Sequence, residues 1–454
     1  MPIDSTMSHR RRILNLVMAN NVTGVYSLRC INLRSRQNDL FYPTAAERRR
    51  PTAVDAMAAA AEEARFDKVP IDLSSEYGHM PEFALNSMER IGVSPSTMRF
   101  QATPPPPQSD GSEVMVGKID CFALSERKVA FMDRHSRVAS LYDAGARCVS
   151  TMASTHVGGG GGAFRWNPWP IYLPVAGEDG DGDSVYAMEG EPEPEPEPSG
   201  DTSSDSNKFQ FQALVHRNGG GWHCVELPPP PYVRDGGGYK PTAIDSYSAH
   251  GGAIWLSTKG IGTYCFDTAS RAWSQVDDDD GGHRVLPFSG KIEHVPELGA
   301  LVGFSRLWDG EDAQECYRLY ASSNDLSSGS GGGSGRRSWR RDYDYDTLEH
   351  LRPPSEWRTI KGAQLIGLGS GKFCVVQFFS FLRRNCFCCH HDEEDRRFAV
   401  FTGVEVVRGV QGEDEAAGGG GGSAGGGGEG RLRLLKRKSK RYMFPDGNTV
   451  EFVL

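Results

Sequence analysis

The chain has 454 residues, of which 38% are hydrophobic and 24% charged, and a formal charge of -9. At about 150 residues per domain this exceeds one ordinary domain, so either one large repeat fold or two domains would fit. The charge is local: residues 177–205 hold eleven carboxylates and no Lys or Arg, and taking them away leaves +2. A near-neutral body lacks the broad basic footprint of a nucleic-acid binder, so no nucleic-acid partner is expected.

Arg10-Arg11-Arg12 precedes a short apolar run at 13–18 that is broken by Asn15 and lacks a small-residue cleavage pattern, so no signal peptide is read. Nowhere do 18 apolar residues follow one another, and no membrane partner is expected. The expected location is intracellular, cytoplasmic or nuclear, and not secreted. Ten cysteines without a small-scaffold spacing are then expected to be reduced.

In chain order, the first strand signals are residues 13–18 and 25–33, rich in Leu, Val, Ile and Tyr. Residues 44–66, with an alanine run at 58–61, read as a helix within an insertion. Next come Tyr142 and Val149 seven positions apart, then the acidic Glu-Pro insertion at 177–207, then Val215 and Trp222 at the same step. The clearest unit follows at 243–276: four short strands in about 35 residues, with Gly251-Gly252 between the first two and Phe266 seven before Trp273. Paired glycines suit a hairpin needing positive φ.

A fourth copy runs from Ile292 through 301–304 and 317–320 and is expected to finish at Trp357-Arg358-Thr359-Ile360, past a Gly/Ser/Arg insertion at 323–350. A fifth unit takes 363–369, 372–381, 398–407 and 431–435, interrupted at 385–397 and by a glycine tract at 409–430. Segments 441–444 and 449–453 are expected to join 13–18 and 25–33 in a sixth. The insertions are too polar or glycine-rich to bury enough apolar surface to offset their ordering entropy.

The steps from Val149 to Trp222, Trp273 and Trp357 stretch where insertions fall, over an underlying period of about 50 residues, the kelch value. The expected fold is therefore all-β: one kelch-like β-propeller over residues 1–454, of six blades with five or seven as alternatives, closed by strands from both termini. Residues 10–17, 24–28, 222–232, 401–406 and 432–442 together resemble the kelch-like proteins of unknown function that are expanded in rice and other grasses. That resemblance implies a propeller and no assigned activity.

Possible chemistry is sparse. Cys386, Cys388, Cys389, His390 and His391 form the densest set of metal-ligand types, yet they occupy one segment, whereas a structural zinc tetrahedron usually closes on two. A solvated hairpin is the favoured reading, and no metal or other cofactor is expected. Lys436, Arg437, Lys438, Lys440 and Arg441 suit a nuclear-import run, against the favoured reading of a charged edge strand that resists unwanted pairing. Trp222, Trp273 and Trp357, with Gly251, Gly252 and Phe266, are read as repeat-packing residues and not as a ligand platform. Residues 367–371 carry spaced glycines between two strands, a hairpin and not a phosphate cradle.

No catalytic motif stands in a supporting context, so no catalytic residue is assigned. The leading expectation is a non-catalytic scaffold that binds a protein partner. The alternatives are an enzyme with its site at the mouth of a propeller channel, acting on a small or carbohydrate-like substrate, and a ubiquitin-ligase substrate adaptor working with a separate subunit.

Overall fold

Short runs of Val, Ile, Phe, Tyr and Trp separated by Gly, Asp and Asn favour hairpins over helices. Their outcome is seen in a computed structural model that describes residues 11–41, 85–86, 88–104, 117–134, 136, 138–152, 170–175, 183–194, 211–217, 221–234, 238–276, 285–306, 317–322, 353–354, 357–384, 393–408 and 432–454. Among these residues the regular elements are β-strands, apart from three single-turn 3-10 helices and the two helical residues 85–86.

The strands fall into six groups. Group I holds β1 (Ile13–Asn20), β2 (Val25–Asn32) and β3 (Met98–Gln101), with the last strand of the chain, β23 (Asn448–Val453), beside β1 in the order β23-β1-β2-β3. Group II is β4 (Ile119–Ala123), β5 (Lys128–Asp133), β6 (Ala139–Asp143) and β7 (Cys148–Thr151). Group III is β8 (Pro170–Val175), β9 (Ser184–Glu189), β10 (Phe211–Arg217) and β11 (Gly221–Glu226). Group IV is β12 (Ser246–His250), β13 (Ala253–Thr258), β14 (Gly262–Asp267) and β15 (Ala272–Val276). Group V is β16 (Ser289–Val295), β17 (Ala300–Arg306) and β18 (Tyr317–Ser322). Group VI is β19 (Arg358–Gly369), β20 (Lys372–Arg384), β21 (Glu393–Arg408) and β22 (Leu432–Met443).

Within each group neighbours are antiparallel, while β12 and β16 pair in parallel (Ser246 with Gly290, Tyr247 with Lys291) and join groups IV and V into one seven-stranded sheet. Burial differs between strands. β1 is buried over six consecutive residues, whereas every residue of β7 is exposed. A strand covered on both faces needs a continuous apolar run, which Leu14, Leu16, Val17 and Met18 provide.

The core is a series of layers between groups. Leu16 and Val450 pack with Val376 and Phe401, group I on VI. Val17 and Leu28 meet Ile119 and Phe131, group I on II. Met132 and Leu141 meet Val185 and Leu214, II on III, and Phe211 and Leu173 meet Ile254 and Phe266, III on IV. Val302 and Leu319 meet Val375 and Val404, V on VI.

The β12–β13 hairpin turns through Gly251 (φ 59) and Gly252 (φ 69), two consecutive positive angles that an L side chain would strain. A second repeated turn closes β6–β7 and β14–β15: Asp143 Oδ1 accepts the Gly145 and Ala146 N–H groups, Asp267 Oδ1 accepts the Ser270 N–H, and Arg147 and Arg271 follow at φ 53 and 54. These backbone bonds hold both carboxyls below the usual range.

Four sequence expectations are corrected. Trp357-Arg358-Thr359-Ile360 does not finish group V; Arg358 opens β19, which pairs with β20 in group VI. Residues 441–443 lie in β22, which runs unbroken from Leu432 on the edge of group VI and so does not enter the terminal sheet. Trp222 stands opposite His216, one residue off the Val215 step, because the β10–β11 hairpin is one residue shorter than those pairing Tyr142 with Val149 and Phe266 with Trp273. Residues 393–397, assigned to an insertion, extend β21 opposite 380–384 of β20. The helix expected at 44–66 lies outside the described residues.

Candidate functional site

The ionisable groups worth weighing as a site stand on the first strands of the groups. Asp120, alone among apolar neighbours on β4, is buried. Arg134, just past β5, donates Nε to Asp120 Oδ2 at 2.9 Å and Nη2 to Oδ1 at 2.5 Å. Tyr172 of β8 donates its hydroxyl to Oδ2 at 3.2 Å while its ring stacks on Phe122 at 4.7 Å. Burial, with the Asp120 charge beside it, pushes the Tyr172 hydroxyl well above its ordinary range. A carboxylate gripped by a fork and a phenol has little capacity left to take a proton from a substrate, so this cluster ties group II to group III.

Lys361 of β19 donates Nζ to the carbonyls of Val450 (2.7 Å) and Glu451 (2.5 Å) and lies 4.2 Å from the centroid of the Phe378 ring. Three residues along β19, Gln364 Oε1 accepts the Val453 N–H at 2.9 Å. Burial brings the amine down to about 8, against the opposing pull of Glu451. An ammonium that sheds its proton this near neutrality could exchange one with a ligand, but two of its donors are committed to β23.

A third cluster joins groups IV and V. His250, at the end of β12, stacks on His294 of β16 at 4.5 Å and on Trp255 at 5.9 Å. Ser248 Oγ donates to Ile292 O at 3.0 Å and lies 3.0 Å from His250 Nδ1, so it accepts from that nitrogen. A serine engaged this way has its hydroxyl hydrogen directed at backbone and not at the imidazole, the reverse of an activated nucleophile.

The residues singled out in the sequence do not converge. Cys386, Cys388, Cys389, His390 and His391 lie outside the described residues, and among the described residues no group of three or more His, Cys, Asp or Glu is placed to hold a metal. The basic run lies in β22. Lys440 is 2% exposed, with Nζ 2.8 Å from Glu89 Oε2 and 2.5 Å from Gln37 O. Arg441 is buried and donates Nε to Met88 O, while Arg437 pairs with Glu405 at 2.6 Å and Lys438 approaches Glu89 at 3.6 Å. The backbone of the β2–β3 connection covers this edge: Arg441 N–H donates to Glu89 O, Ile91 N–H to Arg441 O, and Lys438 N–H to Leu40 O.

Trp273 packs against Phe266 (5.0 Å) and against Phe211 of group III (5.6 Å), and its Nε1 donates to Pro228 O at 2.8 Å. Trp222 packs at the boundary of groups II and III. Trp357 is buried ahead of β19 on Phe379 and Phe398, inside group VI. Sequence reasoning passed over Asp120, Arg134, Tyr172 and Lys361. The available signal was a lone charge in an apolar run, which shows no partner until distant strands are brought together.

Fold and site together define an all-β protein of successive antiparallel sheets, most of them four-stranded, whose buried charges lie at sheet junctions. The chain belongs to the family described as Protein of unknown function (DUF1668), whose model matches residues 11–442. No curated protein matches the chain. Among the described residues no helix is long and apolar enough to cross a membrane.

Proposed function

We propose that the chain is a closed, kelch-like β-propeller of six blades, one for each strand group, that serves as a non-catalytic protein-interaction scaffold. One observation supports the ring: groups I to VI follow each other in chain order, each meets the next through an apolar layer or the parallel β12–β16 pairing, and group VI packs back on group I. Such a ring covers every blade face and, with β23 beside β1, joins the two ends of the chain in one blade.

The scaffold reading is favoured because two buried charges, Asp120 and Lys440, are spent on other side chains or on backbone. Asp120 is held by Arg134 and Tyr172, and Lys440 by Glu89 and Gln37. Rigid sheets then carry connections free to vary and to bind. The test is chemical cross-linking of the full chain in its own cell, with cross-linked peptides identified by mass spectrometry. A stoichiometric protein partner whose cross-links map to the hairpins at one end of the strand groups is expected. Recovery of the chain without a partner, or with cross-links spread over all surfaces, would tell against it.

A further inference from the structure

The ends of four strand groups meet around Arg11, the residue two before β1. Its N–H donates to Leu368 O of β19 at 2.8 Å. Glu126, in the β4–β5 hairpin, accepts the Arg12 N–H on Oε1, and its carbonyl accepts Asn15 Nδ2 at 3.1 Å. Glu293 of β16 reaches over the Gly367 backbone of β19, where a Cβ would stand 3.2 Å from Oε2. Its other oxygen takes Lys291 Nζ at 2.7 Å.

Both carboxylates are within electrostatic reach of the Arg11 guanidinium; burial lowers its pKa and the two acids oppose that. Each acid is nonetheless hydrogen-bonded by another donor, and Arg11 Nε lies buried without a hydrogen-bond partner. A guanidinium removed from water normally has its donors met, since an unmet one costs roughly 1–3 kcal/mol. The Nε donor is therefore unmet in a setting where a planar, singly charged acceptor would complete it.

We propose that this convergence binds a small hydroxycarboxylate, its carboxylate bridged by the Nε edge of Arg11 and its hydroxyls donating to Glu126 and Glu293. The two acids select the ligand. Their charge disfavours a doubly charged phosphate, and their free lone pairs favour a ligand that brings donors beside its single negative charge. Because Nε is buried, binding requires that edge of the guanidinium to turn toward the ligand. The inference goes beyond the scaffold reading and stands without it, because it needs four groups to meet but no protein partner.

The experiment is isothermal titration of the full chain with sodium glucuronate, beside glucose, acetate and inorganic phosphate at equal ionic strength. Glucuronate is expected to bind, and glucose and acetate at least about tenfold more weakly, as each lacks one half of the recognition. Arg11→Lys keeps the charge and loses the planar fork, so it should weaken glucuronate by about tenfold. Glu293→Gln should weaken it less, since the amide oxygen still accepts. Unfolding midpoints of the unliganded variants separate loss of binding from loss of fold. No heat with glucuronate up to about 50 mM, or equal affinity in wild type and Arg11→Lys, overturns the site. Phosphate binding as tightly as glucuronate overturns the hydroxyl contacts.

Discussion

A single side chain here often serves two strand groups, and its worth depends on both. Trp273 touches Phe266 in its own group, Phe211 in the one before and Pro228 in the connection that follows it. Trp273→Ala should destabilise the protein by about 3 kcal/mol, the usual cost of removing a packed aromatic, while Val149→Ala at the equivalent exposed place in β7 should stay within about 0.5 kcal/mol. Chemical denaturation compares them directly, and equal losses would contradict the packing role.

Lys361 supports a prediction in pH. Its folded value of about 8 lies below the ordinary lysine value of 10.5, so between those limits the unfolded chain binds the extra proton and stability contributed by this residue rises with pH. From pH 7 to 9.5 the gain should be about 2 kcal/mol, at 1.36 kcal/mol per unit. Lys361→Met removes a titrating group, so the difference in unfolding free energy between wild type and variant should shift across that window. A constant difference would mean that the amine is not desolvated.

At the scale of elements, the last strand and the second connection both brace sheet edges. β23 pairs with β1, with Asn15 and Leu454 exchanging backbone hydrogen bonds at 2.8 Å, and buries Val450 and Val453. Removing residues 448–454 exposes β1 and those two valines, a loss of roughly 4 kcal/mol. For a chain of this size the unfolding midpoint should fall by roughly 5–10 °C. A midpoint left in place would mean that β23 is a dispensable tail. On the edge of group VI, β22 is met by residues 40 and 89–91 of the connection between β2 and β3, so the least repeat-like part of the sequence has a structural use. A conserved period could not announce it, because an edge cover is neither a strand of a repeat nor an apolar run.

At the scale of the whole molecule, a ring predicts that the chain can be opened elsewhere. A circular permutant that joins residue 454 to residue 11 through a short Gly/Ser linker, and begins anew between β7 and β8, should fold and unfold in one transition. The ends it joins lie in the same sheet. An open row of sheets would instead lose one terminal unit, and the permutant would unfold in separate steps or not fold at all.

The sequence by itself determined the all-β class, the positions of most strands, the glycine hairpin at 251–252 and the meeting of the chain's two ends, because these rest on local apolar runs, turn chemistry and a repeat spacing read along the chain. Tertiary structure alone decided which strand closes which group. Trp357 mimics a fourth-strand tryptophan in composition but precedes a first strand, and 441–443 continue a strand that pairing with β21 keeps intact. It also decided where the charges go: Asp120 meets Arg134 and Tyr172, Lys361 meets β23, and Lys440 meets Glu89 across hundreds of residues of chain. A buried ion pair has no period and no local propensity; its partner is chosen by the stacking of sheets, and that is a property of the folded chain alone.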